Sequence, residues 1–292
     1  MKHSIASAAC LTAALFFSAA VPAQDIEKLK TGGPYVPTPQ VVVDQMLKLA
    51  DVGGQDYVID LGSGDGVIVL TAARNYKAGG MGIDIDPELV RLSNASAQKY
   101  GVADRVRFVQ QDVFKADLGK ASVLTLYLLP AMMIDLRSKI FNELKPGVRV
   151  VSHDYHLGQW LPDDTISFDV AEKEAITGVP KATIYKWIVP AKIAGRWEIK
   201  VAGGETYALT LKQRFQTIVE ASVTAGGKVV MPKAVSLRGS EFSFLLPDGK
   251  GVARFNGRVN GDAMEGMVEL AGGKAPAKWS ATRTVEAKVV TE

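Results

Sequence analysis

Short apolar segments alternate strictly with helical segments between residues 40 and 190, and this alternation constrains the fold more than any other feature. Apolar runs typical of buried strands occupy residues 57–61, 79–85, 106–110, 121–128 and 148–152. The pattern predicts helices over residues 40–49, 67–75, 87–100 and 131–144. Strands that alternate with helices form a parallel sheet covered on both faces. We therefore predict an α/β, Rossmann-like doubly wound domain, in which ligands bind beyond the carboxyl ends of the strands.

After Trp187 the pattern changes to short alternating segments separated by glycine pairs and by hairpin signals such as Asn260-Gly261. Strands are predicted over residues 195–201, 206–213, 218–224, 235–237, 241–246, 251–259, 263–270 and 278–284. Strands at this spacing are typical of a small all-β antiparallel barrel or sandwich. Because 292 residues exceed the usual size of one domain, we predict an α/β domain at 24–190 and a β-rich domain at 191–292.

The amino-terminal segment has the pattern of a secretory signal peptide. Lys2 and His3 precede an apolar stretch at residues 8–20, and Val21-Pro22-Ala23 supplies a cleavage site after Ala23. The apolar stretch is shorter than the ~20 residues that a membrane span needs, which favours a cleaved signal over an anchor. We therefore expect residues 1–23 to be a signal peptide, with no transmembrane segment after cleavage, and the mature protein to be exported to the periplasm or secreted.

Composition excludes several functional classes. The single cysteine, Cys10, lies in the predicted signal peptide, so the mature chain would have no disulfide, cysteine metal site or thiol nucleophile. The net charge is only +3, and the sequence has no clustered basic stripe of the kind that binds nucleic acid. We therefore expect no nucleic-acid partner.

A glycine-rich turn is the strongest functional signal. Asp60-Leu61-Gly62-Ser63-Gly64-Asp65-Gly66 follows a predicted strand and precedes a predicted helix, so a ligand can lie against bare backbone. A nicotinamide site would require Gly-x-Gly-x-x-Gly, whereas here an acidic residue opens the motif and the third glycine is Gly66. This spacing favours S-adenosylmethionine over a dinucleotide. Asp65 either contacts the methionine moiety of that cofactor or stabilises the turn.

Two further aspartates end the next two strands. Asp84 comes twenty residues after Gly64, where a ribose-binding carboxylate is expected. The alternative role for Asp84 is a helix cap, although Asp86, directly before Pro87, suits that role better. Asp112 follows the third strand and could accept a hydrogen bond from an adenine amino group. Three acidic strand ends on one edge of the sheet strengthen the assignment to S-adenosylmethionine.

These motifs resemble those of a known family. Residues 60–66, Gly82-Ile83-Asp84 and Gln111-Asp112 are similar to the signature motifs of class I, seven-strand S-adenosylmethionine-dependent methyltransferases. The resemblance covers roughly residues 31–160. Residues 34–39 and 126–133, with Val150-Val151-Ser152 and Trp160, are similar to a branch that includes mitochondrial protein-lysine methyltransferases acting on ATP synthase subunit c and related proteins.

The resemblance implies a fold, a cofactor and a set of binding residues. It implies that S-adenosylmethionine binds with residues 35–38 folded over it, with Asp84 on the ribose and Asp112 on the adenine. It also implies an antiparallel last strand near residues 182–189. The cofactor-binding residues that we predict are Tyr35, Thr38, Asp60, Gly62, Ser63, Gly64, Asp65, Asp84 and Asp112.

Methyl transfer from a sulfonium is an in-line displacement, so the protein mainly supplies alignment and a deprotonated acceptor. If the acceptor is a lysine amine, Tyr127 at the end of the fourth strand could accept or desolvate it; the alternative is simple aromatic packing. His153, Asp154 and His156 follow the fifth strand and could bind metal or act as a base. Without a further ligand they are more typical of polar loop groups, and no metal site is predicted. The predicted catalytic residues are Tyr127, His153 and Asp154.

Three functions remain open from the sequence. The leading hypothesis is an exported methyltransferase with protein lysine as its candidate acceptor. The alternatives are a non-catalytic envelope binding protein built on this fold and a small-molecule methyltransferase. For the β-rich domain, the hypothesis is recognition of a partner, a lipid or an envelope surface.

Overall fold

The computed structural model describes residues 35–247, 251–270, 272 and 275–291. The predicted signal peptide lies outside these residues. The helices are α1 Gln40–Leu49, α2 Val67–Tyr76, α3 Pro87–Lys99, α4 Pro130–Glu143 and α5 Ala171–Thr177, with a 3-10 turn at Val113–Lys115. In the part of the chain that the structure describes, none of these helices has the length and apolar character needed to cross a membrane.

A seven-stranded sheet carries the first half of the described chain. Its strands are β1 Tyr57–Leu61, β2 Gly79–Asp84, β3 Val106–Gln110, β4 Val123–Leu126, β5 Arg149–His153, β6 Asp164–Asp169 and β7 Lys181–Ile188. They lie in the order β3-β2-β1-β4-β5-β7-β6. The first five are parallel, and β7 pairs antiparallel with both β5 and β6. The doubly wound fold is thereby confirmed, including the antiparallel last strand that the family resemblance implied.

Helices cover both faces of this sheet because successive strand residues point to opposite sides. On β1, Val58 packs in a buried cluster with α1 and α2, whereas Ile59 and Leu61 pack in a cluster with α4. A third cluster joins α2 and α3 to β3 through Val69, Ala97 and Phe108. The loops that follow the carboxyl ends of the parallel strands carry most of the predicted site.

A second, nine-stranded sheet follows. Its strands are β8 Gly195–Val201, β9 Thr206–Arg214, β10 Thr217–Ala225, β11 Lys228–Val230, β12 Lys233–Arg238, β13 Glu241–Pro247, β14 Val252–Asn260, β15 Ala263–Glu269 and β16 Ala277–Glu286. All neighbours are antiparallel, β8 pairs with both β9 and β16, and β10 contacts β12, so the sheet curls on itself. The predicted all-β barrel or sandwich is confirmed. Aromatic side chains fill its interior, as the stacked rings of Phe244 and Phe255 illustrate.

Four elements were not predicted from the sequence. They are β6, α5, the short strand β11 and the 3-10 turn at Val113–Lys115. The remaining elements lie within a few residues of their predicted positions. The division into domains at 24–190 and 191–292 stays a prediction. Residues 35–292 cluster into one compact unit, and Ala194, Phe215 and Val289 belong to the same buried cluster as α4.

Candidate functional site

The glycine turn between β1 and α2 has a backbone that only glycine adopts easily. Gly62, Gly64 and Gly66 have φ values of 77°, 52° and 81°, in the left-handed region. The Gly62 and Ser63 amides donate to the Ile83 carbonyl on β2 at 2.8 and 3.0 Å, which fixes the turn against the neighbouring strand. A Cβ atom on Gly64 would overlap the ring of Tyr35. The Tyr35 ring therefore packs directly against the backbone of the turn, and a side chain at position 64 would have to displace it.

Asp84 joins the end of β2 to this turn. Its Oδ2 accepts from the Gly64 amide at 2.8 Å, and its Oδ1 accepts from the Asp86 amide at 3.0 Å. Asp86 caps α3 by accepting from the Glu88 amide at 2.8 Å. The two aspartates thus divide the roles weighed from the sequence: Asp86 is the helix cap, and Asp84 lies at the glycine turn.

Asp60 is a buried carboxyl beneath the turn. It is 2% exposed, and its Oδ1 accepts a hydrogen bond from the Thr125 hydroxyl at 2.7 Å. Burial, with a smaller contribution from the negative charges of Asp84 and Asp65, raises the pKa of Asp60 to about 7 against the lowering effect of the Thr125 hydrogen bond. A carboxyl in this condition gains from a nearby cation, because a positive charge favours its ionised form.

Tyr35 and Asp65 form the outer side of the turn. Burial raises the pKa of the Tyr35 phenol, and the charge and hydrogen bond of Asp65 act in the same direction, so this phenol stays protonated. Asp65 Oδ1 also accepts from the Val67 amide at 3.1 Å at the start of α2. Asp65 therefore stabilises the turn and holds Tyr35. Thr38 is partly buried in the extended segment that precedes α1.

Ser63 and Asp112 complete the predicted cofactor set. Ser63 is buried, and its hydroxyl has no hydrogen-bond partner among the described residues. Asp112 follows β3 and caps the 3-10 turn, with its Oδ1 accepting from the Phe114 amide at 2.9 Å. Asp84 pairs with Gln110 in the sheet, so Asp112 lies two residues beyond the neighbour of Asp84.

These residues fit S-adenosylmethionine. Its ribose hydroxyls are donors that suit the Asp84 carboxylate, and its ammonium and sulfonium charges suit the electrostatically linked carboxyls of Asp60, Asp65 and Asp84. The glycine turn lets the backbone approach it closely. The buried hydroxyl of Ser63 is a further unused polar group at this place.

On the neighbouring strands, Tyr127 follows β4 and His153 ends β5. Their ring centroids are 4.1 Å apart, and the Tyr155 ring stacks on Tyr127 at 6.3 Å. Burial raises the pKa of Tyr127 to about 12 and lowers that of His153 to about 4, so both side chains are neutral at pH 7. The His153 side chain is 0% exposed, and neither ring nitrogen has a hydrogen-bond partner among the described residues. Tyr127 is half-buried and lies over His153.

Asp154 is held by a buried cation that the sequence analysis did not find. Its Oδ2 lies 3.0 Å from Nζ of Lys173 on α5. The Lys173 side chain is itself buried, and its Nζ donates to the Lys181 carbonyl at 2.6 Å. The Oδ1 atom of Asp154 accepts from the Thr183 amide at 3.1 Å, and the Asp154 φ of 61° is unusual for a residue other than glycine. Asp154 thus fastens α5 and β7 to the end of β5. The sequence analysis missed Lys173 because it did not predict α5, the helix that carries this residue.

His156 lies apart from this pair. Its Nδ1 accepts from the Gly158 amide at 2.9 Å, and its ring meets Tyr185 edge-on at 6.1 Å. Within the described ranges, no group of three or more histidine, cysteine or acidic side chains is arranged to hold a metal ion. His156 therefore has the character of a polar loop residue.

Comparisons with known proteins identify relatives of this chain. The family model described as ANTKMT methyltransferase domain matches residues 60–164. A protein-lysine N-methyltransferase of Saccharolobus islandicus is 38% identical over 157 residues, which cover 53% of this chain and 93% of that protein. The adenine nucleotide translocase lysine N-methyltransferase of Mus musculus is 34% identical over 129 residues, 44% of this chain and 56% of that protein.

A solved structure is also similar. An RNA methyltransferase from Salinibacter ruber, crystallised with S-adenosyl-L-homocysteine, is 49% identical and covers 54% of this chain and 96% of its own, with a TM-score of 0.49. The match to the Saccharolobus islandicus protein covers 93% of that protein at 38% identity, and this match shows the family. The chain therefore belongs to the class I, S-adenosylmethionine-dependent methyltransferase family and resembles its protein-lysine branch.

Proposed function

We propose that this methyltransferase methylates lysine side chains of proteins and that it acts outside the cytoplasm. The observation that carries the acceptor assignment is the similarity to an archaeal protein-lysine N-methyltransferase over 93% of that enzyme. A lysine acceptor makes two demands on the protein. It must bind the methyl donor near an acceptor position, and it must present the amine without its proton.

The first demand is met by the glycine turn and its carboxyls. S-adenosylmethionine supplies an electrophilic methyl group on a positively charged sulfur. Gly62 and Gly64 would hold the adenosyl part by close backbone approach, and Asp84 would hold the ribose. Ionised Asp60 and Asp65 favour the cationic donor over the product, which has lost the sulfonium charge, so these carboxyls assist product release after transfer.

The second requirement, an acceptor amine without its proton, would be met by Tyr127 and His153, the neutral side chains at the ends of β4 and β5. Because its pKa is about 12, Tyr127 keeps its phenol proton, and its oxygen can accept a hydrogen bond from the acceptor nitrogen. Partial removal of the acceptor amine from water at this place would disfavour its charged form and help it lose its proton to solvent. His153 packs beneath Tyr127 at 4.1 Å and is shielded from solvent, which supports a role in holding the phenol ring.

Export is supported by the amino-terminal pattern, in which Lys2 and His3 precede the apolar residues 8–20 and Val21-Pro22-Ala23. An exported methyltransferase would meet its acceptors in the cell envelope. The β-rich domain is our candidate for contact with an envelope partner, because Val229 and Met231 are exposed at and beside the edge strand β11.

The acceptor assignment is tested by incubating the purified protein with methyl-labelled S-adenosylmethionine and proteins of an envelope extract, followed by hydrolysis and amino-acid analysis. We expect label in methyllysine. An extract whose lysines have been acetylated should accept no label, and the Asp84→Ala variant should need a higher concentration of S-adenosylmethionine to label the untreated extract. Label in small molecules alone would favour the small-molecule methyltransferase alternative and refute the lysine assignment.

Export is tested separately. Expression of the full chain in a bacterial host, followed by mass spectrometry of the protein from each fraction, should give an extracytoplasmic protein that begins at Gln24. A full-length protein that stays in the cytoplasmic fraction would refute the export proposal and leave the acceptor proposal intact.

A further inference from the structure

The loop that follows β5 borders Tyr127, and we call residues 154–163 the acceptor loop. It begins at Asp154 and carries Tyr155, whose ring stacks on Tyr127 with centroids 6.3 Å apart and an interplanar angle of 16°. The same loop is anchored by Leu157 and Trp160, which are fully buried. The position of Tyr155 against Tyr127 therefore depends on what holds Trp160 in place.

Phe141 on α4 and Trp187 on β7 pack against Trp160 from the first sheet, and the β9–β10 turn of the second sheet packs against it as well. The ring of Phe215 lies parallel to that of Trp160, with centroids 5.5 Å apart and an interplanar angle of 4°. The next residue, Gln216, donates from Nε2 to the Leu161 carbonyl at 2.6 Å. Phe215 is buried in the cluster that contains α4 and β4, outside the barrel's own core. A turn of the β-rich domain thus forms one wall behind the acceptor loop.

This turn is itself rigidly fastened. Phe215 has a φ of 48°, a left-handed conformation that a bulky residue keeps only where its surroundings impose it. The buried side chain of Gln213 donates to the Phe215 carbonyl at 2.6 Å and to the Ala191 carbonyl at 2.8 Å. The Phe215 amide donates to the Val290 carbonyl at 3.2 Å. The turn is therefore connected to the start and the end of the second sheet.

From this geometry we propose that Phe215 and Gln216 are positioning residues of the methyl-acceptor site, acting through the acceptor loop on Tyr155 and Tyr127. The inference rests on the proposed function, because the acceptor loop borders the substrate only if Tyr127 does. It assigns the β-rich domain a part in the reaction: this domain sets how firmly the acceptor side is closed, and it leaves the cofactor side unchanged.

The test compares Gln216→Ala and Phe215→Leu with the unmodified full protein. The first variant removes the hydrogen bond to the Leu161 carbonyl, and the second keeps an apolar side chain but removes the ring stack. Gln216→Lys restores a donor at the end of a long side chain and serves as a rescue. Phe244→Leu is the matched control, because it breaks an equivalent ring stack with Phe255 inside the barrel, at 4.6 Å, away from the loop.

Three quantities are measured: hydrogen exchange of peptides covering residues 155–161, calorimetric affinity for S-adenosylhomocysteine, and the concentration of envelope-extract protein that gives the half-maximal rate. For Gln216→Ala we expect exchange and the half-saturating concentration each to rise about 3- to 10-fold, the effect of one lost hydrogen bond. For Phe215→Leu we expect the exchange rate and the half-saturating concentration each to rise about tenfold. Gln216→Lys should return both values toward those of the unmodified protein. Cofactor affinity should stay within about twofold in all of them.

Phe244→Leu should lower the unfolding midpoint without changing exchange in the loop or the half-saturating concentration. Unchanged loop exchange in both Gln216→Ala and Phe215→Leu would overturn the inference. Faster exchange with an unchanged half-saturating concentration would also overturn it, because the loop would then lie outside the acceptor site. If the unmodified protein labels no lysine, the proposed function fails, and the exchange comparison alone decides whether the turn holds the loop.

Discussion

Ionisation of the Asp60 carboxyl favours binding of the cationic cofactor but lowers the stability of the folded protein. It is 2% exposed, and its pKa is raised to about 7 by burial and by the charges of Asp84 and Asp65. Asp60→Asn keeps an acceptor for the Thr125 hydroxyl and removes the titrating group. We expect the unfolding free energy of the variant, relative to the unmodified protein, to increase with pH, while its affinity for S-adenosylmethionine falls.

The magnitude follows from the two pKa values. A folded-state pKa of about 7 lies above the ordinary value of 3.8, so the folded protein holds the proton more tightly than the unfolded chain does. The unfolding free energy of the unmodified protein therefore falls as pH rises between these values and levels off above the folded pKa. At about 1.4 kcal/mol per pKa unit the full effect is about 4 kcal/mol, of which about 2.5 kcal/mol lies between pH 5 and pH 8.

Denaturant unfolding of both proteins at pH 5, 6, 7 and 8 measures this difference. The asparagine amide adds a cost for its buried N–H groups that does not vary with pH, so the change of the stability difference with pH is diagnostic. Asp56→Asn is the control with the opposite sign: burial opposes ionisation of Asp56, but hydrogen bonds from Ser122, Gly53 and Arg149 outweigh it and lower its pKa.

For Asp56 the stabilisation is present above the unfolded pKa and is lost only as pH falls through the lowered folded pKa, so its gap should stay nearly constant from pH 5 to pH 8. A constant gap for Asp60→Asn over the same range would refute a raised pKa. Cofactor binding gives the complementary result. Affinity of the unmodified protein for S-adenosylmethionine should fall below pH 7, toward a limit of tenfold per pH unit, and that of the variant should not.

Other substitutions test the remaining parts of the site. Asp84→Ala should weaken S-adenosylmethionine binding by about 1 to 3 kcal/mol in calorimetry, the cost of a buried unpaired partner, and an unchanged affinity would mean that Asp84 does not bind the ribose. Gly64→Ala should reduce cofactor affinity at least tenfold, because its Cβ displaces Tyr35, whereas Gly101→Ala, with the same handedness but open space, should only lower stability by about 1 kcal/mol. Tyr127→Phe should lower kcat by about tenfold or more at unchanged cofactor affinity, and an equal loss in both would place Tyr127 on the cofactor side.

The cofactor side was predictable from sequence because its signals are local. The strand of residues 57–61 is apolar except for Asp60, glycines mark the turn that follows it, and an aspartate ends the next strand. Even the division between Asp84 and Asp86 followed from the position of Pro87, since a residue directly before a helix-starting proline is a natural cap. Each of these inferences needs only neighbouring residues and the geometry of a strand-turn-helix unit.

The acceptor side was less predictable because its contacts join distant residues. The edge strand β6 has only Ile166 and Phe168 as alternating apolar residues, and α5 is only seven residues long, so neither produced a clear period. Lys173 therefore escaped notice, and with it the ion pair that engages Asp154. The burial of His153 was hidden as well, because the last four residues of β5 are all buried and their pattern does not indicate which side chain faces the site.

The boundary between the two sheets shows the same limit at a larger scale. Sequence patterns change after residue 187, and the sheets do divide there, with β7 ending at Ile188 and β8 beginning at Gly195. Packing does not follow that division: Phe215 and Val289 are buried with α4, and the Trp160–Phe215 stack joins residues 55 positions apart in the chain. Periodicity reports which side of a strand is buried, and it carries no information about the partner. The β-rich half is therefore a structural component of the methyltransferase, because its β9–β10 turn completes the core on which the acceptor loop rests.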